Sequence, residues 1–232
     1  MGLLINNDLI WISIPKCASS SIESALLNSN LDIKKHYLHK INPGAHLHLE
    51  LNVLYEDFGK KETICINRDP LERWISSLET IWEVFKSKNQ LIKVDFNDID
   101  NEFLYKTFDV HFLNYLHSGQ IEMCNFSIIN NYELQNENDS TLSAICKLLL
   151  SQNYWKQNKK CTYEFQINKL DELKQFFKEK YNEELIIPHI NPNEVIYNRK
   201  EKTKNKIIID DKLKNWYNNS FETPFEKRNS LI

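Results

Sequence analysis

Two short apolar runs, each followed at once by a helix-starting signal, constrain this chain more than anything else in it. Leu9 to Ile14 reads LIWISI, β-branched and aromatic, and Pro15 ends it. Such a run fits a strand buried on both faces. Ser19 to Asn28 then reads as a helix, with serines at its mouth and Ile22, Ala25 and Leu26 on one side. Thr63 to Asn67 (TICIN) repeats the pattern, with Pro70 in a first helical turn and a helix over Leu71 to Lys88. Strand, tight turn, helix is the opening of a parallel α/β sheet.

The remaining signals are consistent with one α/β domain over residues 1–232. Asn42-Pro43-Gly44 marks a turn, and His46 to Phe58 is expected to be a helix carrying Leu47, Leu51, Leu54 and Tyr55. Further helices are expected over Glu102 to Leu116, Leu142 to Leu150, Asp171 to Tyr181 and Ile207 to Asn219. Asn125 to Tyr132 reads as a strand and Thr162 to Ile167 as an edge strand. With 41% hydrophobic and 12% aromatic residues the chain is globular rather than disordered.

A net charge of −3 argues against a protein that coats nucleic acid or a membrane through bulk positive charge. No stretch approaches the roughly 20 apolar residues of a membrane span. The start, Met1 to Asp8, lacks the basic opening and long apolar run of a signal peptide. Five cysteines with no CxxC spacing are neither a disulfide framework nor a zinc pattern. The expectation is a cytoplasmic protein with reduced, mostly buried thiols.

The turn between the first strand and its helix reads Ile14-Pro15-Lys16-Cys17-Ala18-Ser19-Ser20-Ser21-Ile22. Backbone N–H groups at a helix N-terminus attract anions. Small side chains at Cys17, Ala18 and Ser19 let a phosphate approach the backbone. Ser19, Ser20 and Ser21 add hydroxyl donors and Lys16 a full charge, which together make an anion cradle. A serine-rich cap with no ligand is the plain alternative. The lysine precedes the turn, so this is not the GxxxxGK[ST] loop of ATP- and GTP-hydrolysing enzymes.

The second constellation is Asn67-Arg68-Asp69-Pro70-Leu71-Glu72-Arg73-Trp74-Ile75-Ser76-Ser77. Arg68 stands at the carboxyl end of its strand, where open α/β sheets bind ligands. Ser76 follows eight residues later, near the second helical turn. A guanidinium fork with a hydroxyl suits a phosphate monoester. The alternative pairs Arg68 with Asp69 or Glu72. Arg73 has Asp69 at i−4 and reads as a helical ion pair.

Together the two segments resemble the PAPS-dependent sulfotransferases, especially the carbohydrate-modifying branch. PAPS is 3′-phosphoadenosine 5′-phosphosulfate. In that family a loop of the type PKxxSTS or PKTGxTS holds the 5′-phosphosulfate, and a later RDPxxRxxS holds the 3′-phosphate. The resemblance covers roughly the first 80 residues, with a fainter echo at Leu185 to Asn193 (LIIPHINPN). Cys17-Ala18 stands where many relatives have Thr-Gly. The resemblance implies a three-layer α/β/α fold with a central, mainly parallel sheet, similar to P-loop NTPases. It implies PAPS as donor, adenosine 3′,5′-bisphosphate as product, no metal, and a small-molecule or glycan hydroxyl as acceptor.

The same resemblance assigns roles. Lys16 would neutralise charge on the leaving phosphate, and Cys17, Ala18, Ser19, Ser20 and Ser21 would hold the 5′-phosphate. Arg68 and Ser76 would hold the 3′-phosphate, with Arg199 from a late basic loop closing over it. A general base takes the acceptor's proton. His46, 22 residues before Arg68, is the first choice and His48 the second; on a helix the two would diverge by about 200°. A nucleotide or sugar kinase is the competing enzyme class. The missing Walker lysine–serine pair and the lack of a clear magnesium aspartate weigh against it. A non-catalytic nucleotide-binding relic would keep Lys16, Arg68 and Ser76.

Overall fold

The computed structural model describes residues 2–37, 48–87, 101–102, 152–188 and 207–218. The chain divides into two compact units, Met1–Arg73 with Ser151–Pro192, and Trp74–Leu150 with Asn193–Ile232. The expected helices Glu102 to Leu116 and Leu142 to Leu150 and the expected strand Asn125 to Tyr132 lie outside the described residues, apart from Glu102.

The described residues of the first unit form five strands: β1 (Gly2–Ile5), β2 (Leu9–Ile12), β3 (Ile33–Lys35), β4 (Glu62–Asn67) and β5 (Tyr163–Gln166). Their order across the sheet is β3-β1-β2-β4-β5. β2 pairs parallel to β4 and β4 parallel to β5, whereas β1 is antiparallel to both β2 and β3. Among the described residues the sheet is therefore mixed, parallel over β2, β4 and β5 and antiparallel at β1 and β3. The cause is a tight hairpin between β1 and β2, and only antiparallel strands can be joined that closely. Asn6 and Asn7 make the turn at φ 47° and 61°, in the left-handed region that asparagine tolerates best among non-glycine residues. Asn6 is fixed there by bonds from its N–H to the Asp32 carbonyl at 2.8 Å and from the Asp32 N–H to its own Oδ1 at 2.9 Å.

The first helices of the described residues, in chain order, are α1 (Ser19–Leu27), α2 (Leu51–Phe58), α3 (Pro70–Ser87), α4 (Gln152–Trp155) and α5 (Leu170–Tyr181). α2 packs on β1, where the Leu54 side chain occupies the space a Cβ at Gly2 would need. Helices and sheet enclose a core that includes Trp11, Ile12, Ile22, Ile64, Ile66, Leu173 and Phe177. β1 and β2 are buried along their whole length, which explains the continuous apolar run at Leu9 to Ile12. The Trp11 indole donates to the buried Glu23 carboxylate at 3.4 Å.

The helix expected over His46 to Phe58 starts only at Leu51. His48 to Glu50 is not helical, and Glu50 is extended at φ −71° and ψ 151°. Its carboxylate accepts from the Tyr154 hydroxyl and, at 2.6 Å, from Gln157 Nε2. These bonds tie the segment down before the helix starts.

In the second unit α3 continues from its start at Pro70, and α6 (Asp211–Tyr217) is capped by Asp210, which accepts the Leu213 N–H at 2.7 Å. Trp74 packs against Trp216 and Tyr217, with ring centroids 5.9 and 5.8 Å away. Among the described residues no helix is long and apolar enough to cross a membrane.

Candidate functional site

The loop after β2 alternates in backbone hand. Lys16 lies at φ 63° and Ala18 at φ 56°, with Cys17 between them at negative φ. Alternation of this kind turns successive N–H groups toward one side and forms an anion-binding concavity. α1 starts directly after Ala18 with no side-chain cap. The N–H groups of its first turn have no acceptor within the helix. Ser19 and Ser21 are buried, while Ser20 is partly exposed. The loop holds a left-handed alanine without a glycine, a conformation that costs about 1–2 kcal/mol.

Cys17 is buried under this loop and donates weakly to Gln152 Oε1 at 3.5 Å. Burial pushes its thiol up to about 11, against the pull of Arg73, Arg68 and Lys156. At neutral pH it is a neutral thiol and not a nucleophile. Its surroundings nonetheless hold three cations, which is the electrostatics an anion site needs.

Arg68 follows the last residue of β4. Its guanidinium Nη1 donates to the Lys16 carbonyl at 3.5 Å, and its Nε lies 3.4 Å from Glu72 Oε2. The structure thus brings Arg68 to the Lys16 loop and also forms the Glu72 ion pair that the sequence left as an alternative. Glu72 is half exposed, and an ion pair of that kind is weak. Asp69 is the cap of α3: its Oδ1 accepts the Glu72 N–H at 2.9 Å, with Pro70 in the first helical position. Arg73, read from sequence as a helical ion pair with Asp69, is 1% exposed and projects its charge onto Cys17. Ser76 is a partly exposed residue of α3 and falls in the second unit.

His48 stands beside the start of the loop. Its Nδ1 is 2.9 Å from the Ser13 carbonyl and 3.2 Å from Ser13 Oγ, and its ring lies edge-on to Trp155 at 5.8 Å. A carbonyl can only accept, so Nδ1 carries the proton and Nε2 is the basic nitrogen of the neutral ring. The divergence argued from a shared helix does not apply to His48, which is not helical. His46 and Arg199 lie outside the described residues.

One further cluster adjoins the end of β4. Donor atoms of Cys65, Cys161 and Glu164 lie within 4.8 Å of one another. The Glu164 carboxylate already accepts from the Cys161 N–H at 2.9 Å, Asn67 Nδ2 at 2.8 Å and Lys156 Nζ at 3.2 Å. The ammonium fills the cation's role there. Burial raises the Glu164 carboxyl, but the Cys161 N–H, Lys156 and Asn67 together hold it below its ordinary value.

Comparison with protein-family models, with curated proteins and with solved structures finds no match.

Sequence reasoning missed Arg73 as an interior cation, and it missed Gln152 and Lys156 altogether. Gln152 meets Arg68 across 84 residues of chain, and no local motif marks it. Lys156 carries no signal either, since an isolated lysine reads as surface.

Proposed function

We propose that the loop at residues 14–21 and the end of β4 bind PAPS, and that the chain moves its sulfuryl group to a hydroxyl acceptor, a carbohydrate by family analogy. The observation that carries this reading is the approach of the Arg68 guanidinium to the Lys16 carbonyl at 3.5 Å. It places the second motif's cation on the first motif's loop. The alternating loop and the cations around Cys17 fit a phosphorylated ligand.

PAPS supplies an activated sulfuryl group, and its transfer releases adenosine 3′,5′-bisphosphate. The N–H groups of Ala18, Ser19 and Ser20 hold the 5′-phosphate. Lys16 offsets the charge that grows on it as the bond to sulfur breaks. Arg68 takes the 3′-phosphate. His48 Nε2 accepts the acceptor's proton, its ring oriented through Nδ1 by the Ser13 carbonyl. His46 is the other candidate base.

The test is a calorimetric titration with adenosine 3′,5′-bisphosphate and with adenosine 5′-phosphate. The reading expects a clear preference for the bisphosphate, lost in Arg68→Ala. Equal affinity for both ligands in the unmodified chain would remove the donor assignment and favour a kinase-like nucleotide site. For the base, His48→Ala is expected to keep bisphosphate binding and lose sulfate transfer. Retained transfer would move the role to His46.

A further inference from the structure

β4 ends at Asn67, which pairs with Gln166 of β5. Arg68 is the first residue beyond that register, so its main chain has passed the last rung of the ladder between these two strands. The Gln152 side chain takes over. Its Oε1 accepts the Arg68 N–H at 2.9 Å, and its Nε2 donates to the Arg68 carbonyl at 2.7 Å. One amide therefore satisfies both main-chain groups of one residue, as a neighbouring strand would. The same Oε1 receives the Cys17 thiol at 3.5 Å. Gln152 thus touches the residue after β4 and the loop after β2.

We infer that Gln152 is a positioning residue for the anion site: it holds the Arg68 backbone so that the guanidinium is presented beside Lys16. The inference rests on the proposed donor reading and adds what sets that reading's specificity. Among the described residues the guanidinium has only long contacts of its own, 3.5 Å to Lys16 and 3.4 Å to Glu72. Those bonds are near the geometric limit and hold the side chain loosely. The short bonds are on the main chain, and Gln152 makes them. Ligand discrimination by Arg68 then depends on a residue that need not touch the ligand.

The consequence separates two ligands. Loss of the clamp frees the Arg68 backbone and weakens recognition of a 3′-phosphate, while the 5′-phosphate keeps the N–H groups of α1. The experiment compares unmodified chain, Gln152→Met and Gln152→Glu for affinity toward adenosine 3′,5′-bisphosphate and adenosine 5′-phosphate. Melting is followed in parallel. Methionine keeps the length and makes neither bond. Glutamate keeps an acceptor for the Arg68 N–H and loses the donor to its carbonyl. Leu173→Ala serves as a control, because it removes packing from the core without touching Arg68.

In Gln152→Met the preference for the bisphosphate is expected to fall about tenfold, the worth of one to two lost hydrogen bonds, with affinity for the 5′-phosphate unchanged. Gln152→Glu is expected to lie between that variant and the unmodified chain. Leu173→Ala is expected to melt lower with the preference intact. An unchanged preference in Gln152→Met overturns the inference and leaves the donor reading standing. A preference lost equally in Leu173→Ala overturns it too, since discrimination would then follow stability alone. If the unmodified chain shows no preference, the donor reading and the inference fall together.

Discussion

Ala18 holds a backbone conformation that an alanine enters only under constraint, at φ 56° and ψ 20°. The constraint comes from both sides: Ile14 takes the Cys17 N–H at 3.4 Å, and α1 starts at Ser19. Glycine has no Cβ to clash in this region, so Ala18→Gly is expected to stabilise the chain by about 1 kcal/mol. A higher denaturant midpoint would show it, and a lower one would mean the loop is not left-handed at this residue. Glu164 offers a second check at the same scale. Its carboxyl is held below the ordinary value of 4.5. The stability it contributes is fully present above that value and is lost as pH falls through the lower, folded value. Melting temperature followed from about pH 6 to pH 3 should fall more steeply for the unmodified chain than for Glu164→Gln. Parallel curves would show that the carboxylate is not held in this way.

Among the elements, α3 depends most visibly on one cap. Asp69→Ala removes the acceptor of the Glu72 N–H and is expected to cost about 1 kcal/mol, read from the denaturant midpoint. No loss would mean that Pro70 alone sets the start. This corner also shows why parts of the fold were legible and parts were not. β2 and β4 are buried along most of their length, so their sequences are continuous apolar runs. β1 is buried too, but it includes Gly2, which weakens any local strand signal. β3 is Ile-Lys-Lys at a sheet edge, with no alternation to detect. The leucine spacing of α2 was read correctly, while its start was missed because tertiary bonds to Glu50 decide it. In the candidate site, the nearness of Arg68 to the Lys16 loop was legible because each follows a strand. The burial of Arg73 was not legible: the Asp69 spacing suggested a helical ion pair, and only the packing shows its side chain buried. Gln152 acts through main-chain groups of a distant residue, which leaves no trace in local pattern.

At the scale of the whole molecule, the first unit stands on the core between its mixed sheet and its helices. Phe177 is fully buried there and contacts Phe176 and Tyr181. Phe177→Ala is expected to cost about 3–5 kcal/mol, a large share of the roughly 5–15 kcal/mol that holds an ordinary domain folded, and to lower the melting temperature strongly. Near-native melting would show that α5 does not seal this core. The same sheet brings the ends of β2 and β4 together, since these strands are parallel neighbours. That adjacency brings two motifs some fifty residues apart to the same end of the sheet, as the proposed binding of one ligand with two phosphates requires. A crystal structure of the chain with adenosine 3′,5′-bisphosphate tests this most directly. The 5′-phosphate is predicted on the N–H groups of Ala18 to Ser20, and the 3′-phosphate on the Arg68 guanidinium. A nucleotide seated elsewhere, or a 3′-phosphate with no contact to Arg68, would contradict the account.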